Sequence, residues 1–483
     1  MGVSIWEGNK ADRVATALEA IAVAQAGAIG NGMDVAGFSR LIAMGLGPKA
    51  GPVGTSLTTS KETAITVNIA NIDGTPGITA ATVAEETFTE KVGHSDAGAY
   101  EFTYDGAAWH LDGVTVELSQ YGINVTGTPI SGDEIVVHIT AATIALNVLD
   151  HDYHTPVNSA IKHTCTVGMR DCYENRQFDA PEALIKVVDG LAAGSHFYIT
   201  LDHAAYNGGT AQDGVYGGTL GENQAIPAGG YLRHTTMGAY QSSYNTSQIT
   251  GGKWQAYGTD FAKIGADIAT DTGDTSGTEF GTATASTYNG NSAHVNFTQR
   301  NAYGDNRLSK SAWLQYANAH GTGWWKQMTE FDFPPASVAG IKGLLTGMDA
   351  DMLAAMVKVK IRTALPTCDG GGYEDIETYV FPLSMTEVNF GQNNGVYETS
   401  FGLDNTLKTV PLAFYNGAVN ADRIKTLNGA ARYWFLRGVS PSGASFVRLV
   451  YVGGSLYSDG GDASGAGGLV AAWVIGNPVI QTA

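Results

Sequence analysis

A group of residues that commonly bind metal ions lies near residue 150 of the chain. It comprises Asp150, His151, Asp152 and His154, with His163, Cys165 and Cys172 downstream. Carboxylate, imidazole and thiolate groups are ligands of zinc and iron. However, the segment contains no Cys-x-x-Cys or His-x-x-x-His pair, and it lies at a predicted domain junction, where polar residues are common. We therefore interpret these residues as structural and predict no bound metal.

The sequence also shows little sign of a calcium site or a catalytic site elsewhere. The segment from Asp459 to Asp462 has the Gly/Asp composition of some calcium-binding loops, but such loops occur as repeats and this one occurs once. Neither a Ser/His/Asp arrangement nor a Gly-x-Ser-x-Gly motif stands out. Glu374 and Asp375 adjoin each other in a segment that we expect to be an exposed loop. The sequence thus predicts a protein that is not an enzyme and has no cofactor.

The C-terminal segment from residue 433 onward combines aromatic anchors with very small residues. Aromatic rings offer rigid contact area, and serine and aspartate offer adaptable hydrogen bonds, as in binding surfaces. The candidate ligand-binding residues are Phe435, Gly438, Val439, Ser440, Ser442, Gly443, Ser445, Phe446, Leu449, Tyr451, Tyr457, Ser458, Asp459, Asp462 and Ser464. The expected core and support beneath them are Tyr433, Trp434, Leu436, Trp473, Arg437 and Arg448. A set of solvated turns without a ligand is the alternative interpretation.

Three strings in this segment resemble the C-terminal motif of a phage structural-protein family. They are RYWFLRG (432–438), FVRLVYVGGSLYSDGG (446–461) and GGLVAAWVI (467–475). The matching positions are Trp434, Leu436, Arg437, Val447, Arg448, Gly454, Leu456 and Tyr457. The sequence departs from the family pattern at Phe435, Gly438, Val439 and Val470. The resemblance implies a C-type-lectin-like domain, a fold shared with formylglycine-generating enzymes and with phage tropism determinants.

This resemblance implies a virion structural protein that binds a host-cell surface protein or glycan. In tropism determinants, diversity-generating retroelements rewrite the C-terminal loops, and the Gly, Ser, Asp, Ala, Val and Phe residues that this yields are frequent here. The resemblance further implies contacts with other virion proteins and a homo-oligomer, for which a trimer is one option. The catalytic cysteine pair of formylglycine-generating enzymes has no counterpart, because Cys368 stands alone in this part of the chain.

Two other functions stay open on the sequence alone. The first is a capsid-decoration or tail structural protein whose C-terminal end is a solvated cap and binds no receptor. The second is a hydrolase that acts on surface glycans. We place both behind the receptor-binding function; for the hydrolase, the reason is that a shared fold does not transfer an activity.

The overall composition restricts the class of protein. A net charge of −19 repels phosphate backbones, so nucleic-acid binding is not expected. No apolar run approaches the length of a membrane-spanning helix, so no membrane insertion is expected. The first residues lack the features of a signal peptide, which favours synthesis in the host cytoplasm for assembly into the virion. Three cysteines exclude a disulfide framework, so free thiols are expected.

We predict a mainly β fold with an α+β C-terminal domain, since 63 glycines and few charged residues indicate many turns. Residues 1–60 form a helical segment for anchoring or oligomerisation. Residues 61–145 and 146–250 form two small β domains of Ig-like or sandwich type. Residues 251–483 form the C-type-lectin-like, ligand-binding domain.

Local patterns predict several individual elements. The predicted strands are 184–188, 196–201 and 231–234, and a long loop is predicted at 207–221. One helix should begin near residue 306, with Leu308, Trp313 and Tyr316 in the core. A second helix should span 340–344 or 348–356.

Overall fold

A computed structural model describes residues 53–92, 98–161, 163–201, 214–235, 251–282, 285–288, 292–295, 300, 303–335, 338, 340–390, 411–440 and 443–477. Within these residues the protein is mainly β, as predicted, and has three short α-helices. None of the described helices combines the length and the hydrophobicity needed to cross a membrane. The helical segment predicted for residues 1–60 lies outside the described residues as far as residue 52, and its last residues belong to a strand.

The first β unit begins at residue 53. Its elements are β1 (Ser56–Asn71), β2 (Ile78–Val83), α1 (Glu85–Val92), β3 (Gly98–Tyr104), β4 (Trp109–Leu111), β5 (Val114–Val116), a 3-10 helix (Leu118–Tyr121), β6 (Ile123–Gly127) and β7 (Asp133–His151). β1 and β7 form a long antiparallel ribbon, which β3, β4 and β5 extend into a sheet, while β2 pairs with β6. Phe88, Phe102 and Ile135 are fully buried in the core of this unit.

Strand β7 contributes to two hydrophobic cores on opposite faces. Ile135 and Ile139 are buried in the first unit, whereas Ile144 and Val148 are buried in the C-terminal unit. Alternate residues of a strand share a face, so the change from odd to even positions means that the buried face changes. The intervening residues 140–143 are exposed or half-buried. The predicted boundary between residues 145 and 146 therefore falls inside a continuous strand.

After β8 (His163–Met169) and β9 (Asn175–Gln177), which join the C-terminal unit, a second β unit is inserted. It comprises β10 (Leu184–Val187), β11 (His196–Leu201), β12 (Gly214–Thr219), β13 (Gly230–His234), β14 (Lys253–Tyr257), β15 (Lys263–Ala269), β16 (Asp271–Thr272) and β17 (Thr278–Thr282). One sheet has the order β10-β13-β14-β15 and the other β16-β12-β11-β17. Trp254 joins them, because its Nε1 donates to the Gly217 carbonyl of the other sheet at 2.8 Å.

The inserted unit tests several predicted elements. The strands predicted at 184–188, 196–201 and 231–234 are confirmed as β10, β11 and β13. The loop predicted at 207–221 is wrong for the residues of β12. β13 and β14 pair, with Leu232 opposite Ala256, so the predicted boundary between residues 250 and 251 lies within this unit.

The C-terminal unit contains the remaining elements. These are β18 (Ala285–Tyr288), β19 (Ser292–Val295), a 3-10 helix (Leu308–Lys310), α2 (Ala312–Ala317), α3 (Ala350–Ala355), β20 (Met356–Val357), β21 (Val359–Ala364), a 3-10 helix (Thr367–Asp369), β22 (Tyr373–Thr378), β23 (Val380–Phe381), 3-10 helices at Ala413–Tyr415 and Asn420–Arg423, β24 (Lys425–Leu427), β25 (Ala430–Arg432), β26 (Trp434–Val439), β27 (Phe446–Val450), β28 (Leu456–Asp462), β29 (Ala466–Gly468) and β30 (Ala472–Asn477). β30 pairs with β8, β20 and β23, so the chain's last described strand joins the sheet that contains β7. A second, five-stranded sheet has the order β28-β27-β26-β29-β9.

Polar caps fix the starts of α2 and α3. The Ser311 hydroxyl accepts a hydrogen bond from the Leu314 amide at 3.1 Å, and the Asp349 carboxylate accepts one from the Met352 amide at 3.0 Å. The second predicted helix is thus confirmed within 348–356, while 340–344 is not helical. The predicted core residues Leu308, Trp313 and Tyr316 are buried.

Candidate functional site

The five-stranded sheet lies deep in the C-terminal unit. β26 is buried along its whole length, and so is β27 after its first residue. Strands with successive buried side chains have other layers packed on both faces. Phe435 packs against Phe178 with ring centroids 5.7 Å apart, whereas the indole of Trp434 donates to the Arg423 carbonyl at 3.1 Å. These contacts to two different segments show that the sheet is covered on both sides.

This burial changes the set of residues that a ligand could reach. The buried members of the predicted binding set are Phe435, Gly438, Val439, Ser440, Gly443, Ser445 and Leu449. The half-buried members are Phe446, Asp462 and Ser464. Ser442 lies outside the described residues, as do the side chains of Ser458 and Asp459. The expectation that the set points outward is therefore wrong for the buried members.

A segment distant in sequence covers this part of the sheet. Asn306 donates from its Nδ2 to the carbonyls of Gly443 and Phe446, at 2.7 and 3.1 Å. The Ser464 amide donates to the Tyr303 carbonyl at 2.7 Å. Residues 303–306 thus form hydrogen bonds with backbone groups of Gly443, Phe446 and Ser464. The segments around Gly443 and Ser464 are therefore packed against another part of the chain and are not free loops.

The covering segment is itself held by a buried group of charged residues. Asp179 accepts hydrogen bonds from the amides of Asp305 and Ala312, at 2.9 and 3.0 Å. Arg300 forms ion pairs with Asp369 at 2.6 Å and with Asp305 at 3.3 Å. Burial raises the pKa of Asp305 to about 6, although the Arg300 guanidinium opposes this rise. These contacts are internal, which favours a structural role for the group.

Among the members of the predicted set whose side chains the structure describes, Tyr451 and Tyr457 are exposed. Their side chains are 49% and 46% exposed, and their rings stack with centroids 5.8 Å apart and planes 22° apart. They lie on either side of the tight turn that joins β27 to β28. The Tyr451 amide donates to the Ser455 carbonyl and the Gly454 amide to the Tyr451 carbonyl, both at 2.8 Å. We call Tyr451 and Tyr457 the tyrosine pair.

The turn beneath the tyrosine pair is fixed against the core. Gly454 has a φ of 80°, and a Cβ there would lie 1.7 Å from the Asn420 carbonyl oxygen, so only glycine fits. Asn420 begins a 3-10 helix whose buried Arg423 donates to the carbonyls of Val388 and Asn389, at 2.5 and 2.9 Å. The tyrosines therefore project from a rigid support.

A family model matches this part of the chain. It is described as Domain of unknown function (DUF6273), and it covers residues 286–474, which is less than half of the chain. The matched range includes the tyrosine pair and the five-stranded sheet except β9. No curated protein and no solved structure matches the chain.

A buried ion pair within the matched range connects to the first predicted ligand group. Glu387 accepts hydrogen bonds from Arg437, at 2.5 and 2.6 Å, and contacts His154 Nε2 at 3.0 Å. The other ring nitrogen of His154 contacts the Thr166 hydroxyl at 2.9 Å. Burial alone would raise the pKa of Glu387, but the Arg437 guanidinium and the His154 hydrogen bond hold it well below its ordinary value. Arg437 thus has the supporting role predicted for it.

Several other residues of that predicted ligand group lie close together where β7 pairs with β8, with His151 opposite Cys165. His163 contacts Asp152 at 3.3 Å, and Asp150 accepts a hydrogen bond from a backbone amide at 2.8 Å. Cys165 and Cys172 are buried free thiols, and burial raises the pKa of Cys172 to about 11. Although near one another, these residues do not form a group of three or more ligand atoms within the described part of the chain.

The sequence reasoning missed a different group of ligand-type residues, in the inserted unit. Nitrogen and oxygen atoms of His196, Asp271 and Asp274 lie within 4.8 Å of one another. His196 and Asp271 are 75 residues apart, so no local motif joins them. The only feature of the sequence that pointed to this group was the short Asp-Thr-Gly-Asp string at 271–274, which does not contain the histidine.

Asp462 gives a pH-dependent prediction. Burial raises the pKa of its carboxyl to about 6, and Oδ1 has no hydrogen-bond partner within the described part of the chain. A folded-state pKa above the unfolded one means that stability falls as pH rises from about 4 through about 6. Asp462→Asn should therefore stabilise the protein by roughly 1 kcal/mol at neutral pH, a value reduced because the carboxyl is partly solvated. Urea unfolding at a series of pH values would measure this change.

The matched control is Asp189→Asn, which removes the same charge from an exposed position. It should leave the pH profile as it is in the wild-type protein. An Asp462→Asn variant whose unfolding midpoint shows the wild-type dependence between pH 4 and 7 would refute the prediction.

Proposed function

We propose that this chain is a virion structural protein whose C-terminal region binds a host-cell surface receptor through the tyrosine pair. The observation that carries the proposal is the exposure of two stacked rings on a rigid turn. Tyrosine buries a large area on binding at a low cost in conformational entropy, and its hydroxyl supplies a hydrogen bond. Since the turn is fixed by Gly454 and Asn420, little further ordering is needed when a ligand binds.

The proposal includes a C-type-lectin-like fold for the C-terminal region and an Ig-like or sandwich type for the two β units. The motif around Trp434, Arg437 and Tyr457 supports the first assignment. Two facing four-stranded sheets with Trp254 between them support the second for the inserted unit. We also propose that the protein acts by binding and not by catalysis, as a homo-oligomer, whose several weak sites would together give high avidity.

Alanine substitution of the tyrosine pair tests the proposal. Tyr451→Ala and Tyr457→Ala should each weaken binding of the full-length chain to host cells by at least about tenfold, the loss of about 1.4 kcal/mol. The unfolding midpoint should change little, because both side chains are about half exposed. Binding of the labelled chain to a panel of bacterial strains, followed by titration on a strain that binds, would measure the change.

Tyr379→Ala is the matched control, since Tyr379 is 41% exposed and lies outside the pair. It should bind as the wild type does. Protease treatment of the cells abolishes binding if the receptor is a protein, whereas periodate oxidation abolishes it if the receptor is a glycan. Wild-type affinity in both pair variants, or no binding to any strain, would contradict the proposal.

One observation favours a second function, that of a capsid-decoration or tail protein without receptor binding. Seven of the twelve described members of the predicted binding set are buried, so the area available to a ligand is smaller than a diversified loop surface would offer. In a decoration or tail protein of this kind, the C-terminal sheet would act as a stable cap. It predicts that the chain assembles into particles normally and that no strain in the panel binds it.

A further inference from the structure

We propose that His196, Asp271 and Asp274 form a binding site for a divalent transition-metal ion, with zinc as the best fit. The site lies in the inserted β unit, whereas the tyrosine pair belongs to the C-terminal unit. His196 begins β11, Asp271 lies in β16, and Asp274 lies in the turn between β16 and β17. Strand pairing brings them together, because β16 and β11 both pair with β12, and β17 runs parallel to β11.

The two distances from the histidine to the carboxylates are close to those between ligands of a tetrahedral site, and the two carboxylate oxygens lie within 4.8 Å of each other. His196 Nε2 lies 3.1 Å from Asp271 Oδ2 and 3.4 Å from Asp274 Oδ2. Zinc binds histidine nitrogen and carboxylate oxygen at about 2.0–2.2 Å, which places neighbouring ligand atoms roughly 3.3–3.5 Å apart at the corners of a tetrahedron. Three protein ligands leave a fourth corner for water or for a group from outside.

The charges of the three side chains also favour a cation. Two carboxylates lie beside one imidazole, and no described lysine or arginine forms an ion pair with Asp271 or Asp274. A doubly charged ion would neutralise both carboxylates. The histidine makes a transition metal a better fit than calcium or magnesium, which prefer oxygen ligands alone.

Close packing holds the turn over the histidine. A Cβ at Gly277 would lie 2.2 Å from the His196 carbonyl oxygen and 2.5 Å from its Nδ1, so this approach requires glycine. Asp274 is positioned by the Ser276 amide, which donates to its Oδ1 at 2.8 Å and leaves Oδ2 facing the histidine. The metal would therefore join the turn of residues 273–277 to β11.

Zinc titration of the full-length chain tests the proposal. After treatment with EDTA and dialysis, isothermal titration calorimetry with zinc should show one saturable site per chain. His196→Ala and Asp274→Asn should each weaken zinc binding by at least about tenfold. Asp274 is nearly half exposed in a turn, so its variant should fold, which circular dichroism would verify.

His163→Ala is the matched control, because His163 contacts a single carboxylate, that of Asp152, at 3.3 Å. It should bind zinc as the wild type does. Calcium added alone should give no saturable binding. The proposal is overturned by an absence of saturable zinc binding, which would mean that the three residues form an ion pair only, or by unchanged zinc affinity in both variants.

Discussion

Replacing Glu387 with alanine is expected to destabilise the folded protein by about 3–5 kcal/mol, because it leaves the buried Arg437 charge without its carboxylate. Both side chains are buried, at 2% and 8% exposure, and Glu387 also contacts His154. Since the pKa of Glu387 is held below its ordinary value, its stabilising effect is present at neutral pH. The effect is lost only as the pH falls below the ordinary range of carboxyl groups. Urea unfolding followed by circular dichroism would measure the change.

Two controls separate the buried charge from a general loss of contacts. Asp267→Ala breaks the exposed ion pair between Lys263 and Asp267, and should cost no more than about 1 kcal/mol. The double variant Glu387→Met, Arg437→Met removes both buried charges and should be more stable than Glu387→Ala. If Glu387→Ala costs no more than Asp267→Ala, the ion pair does not have the structural role that we assign to it.

Replacing Trp473 with alanine is expected to cost about 3–5 kcal/mol, since the cavity would open at the centre of the largest core. Trp473 is fully buried on β30, where it lies opposite Val167 of β8 and Val380 of β23. Its indole Nε1 lies 3.3 Å from the sulfur of Met352. Trp473 therefore pairs with two strands and contacts a helix, which come from three different parts of the chain. Denaturant unfolding of the purified variant would measure the loss.

Trp325→Ala is the comparison, because Trp325 is only half-buried at the edge of the same core. It should destabilise the protein by much less than Trp473→Ala. Trp473→Phe should lie between the two, since it retains most of the apolar volume. Equal losses for the Trp473 and Trp325 alanine variants would show that β30 does not hold the C-terminal unit together.

The sequence by itself predicted the class of structure and many of the individual strands. Glycine-rich, weakly charged composition indicated a mainly β protein, and local sequence patterns located β10, β11 and β13. The helix expected to begin near residue 306 begins instead at Ala312, after the Ser311 cap, and the second helix lies within the predicted range 348–356. The burial of Trp434 and Trp473 also followed from residue type. These properties depend on neighbours in the chain, so local patterns are sufficient for them.

Only the tertiary structure decided which of the C-terminal residues are accessible. The sequence around small residues such as Ser440 and Ser445 would look the same whether or not a second layer of the structure covers them. Here residues 303–306 provide that cover, and their contact with the sheet joins positions more than a hundred residues apart. The meeting of His196 with Asp271 and the pairing of Glu387 with Arg437 are likewise products of strand order. Contacts between distant segments are set by packing of the whole chain, and no short stretch of sequence records them.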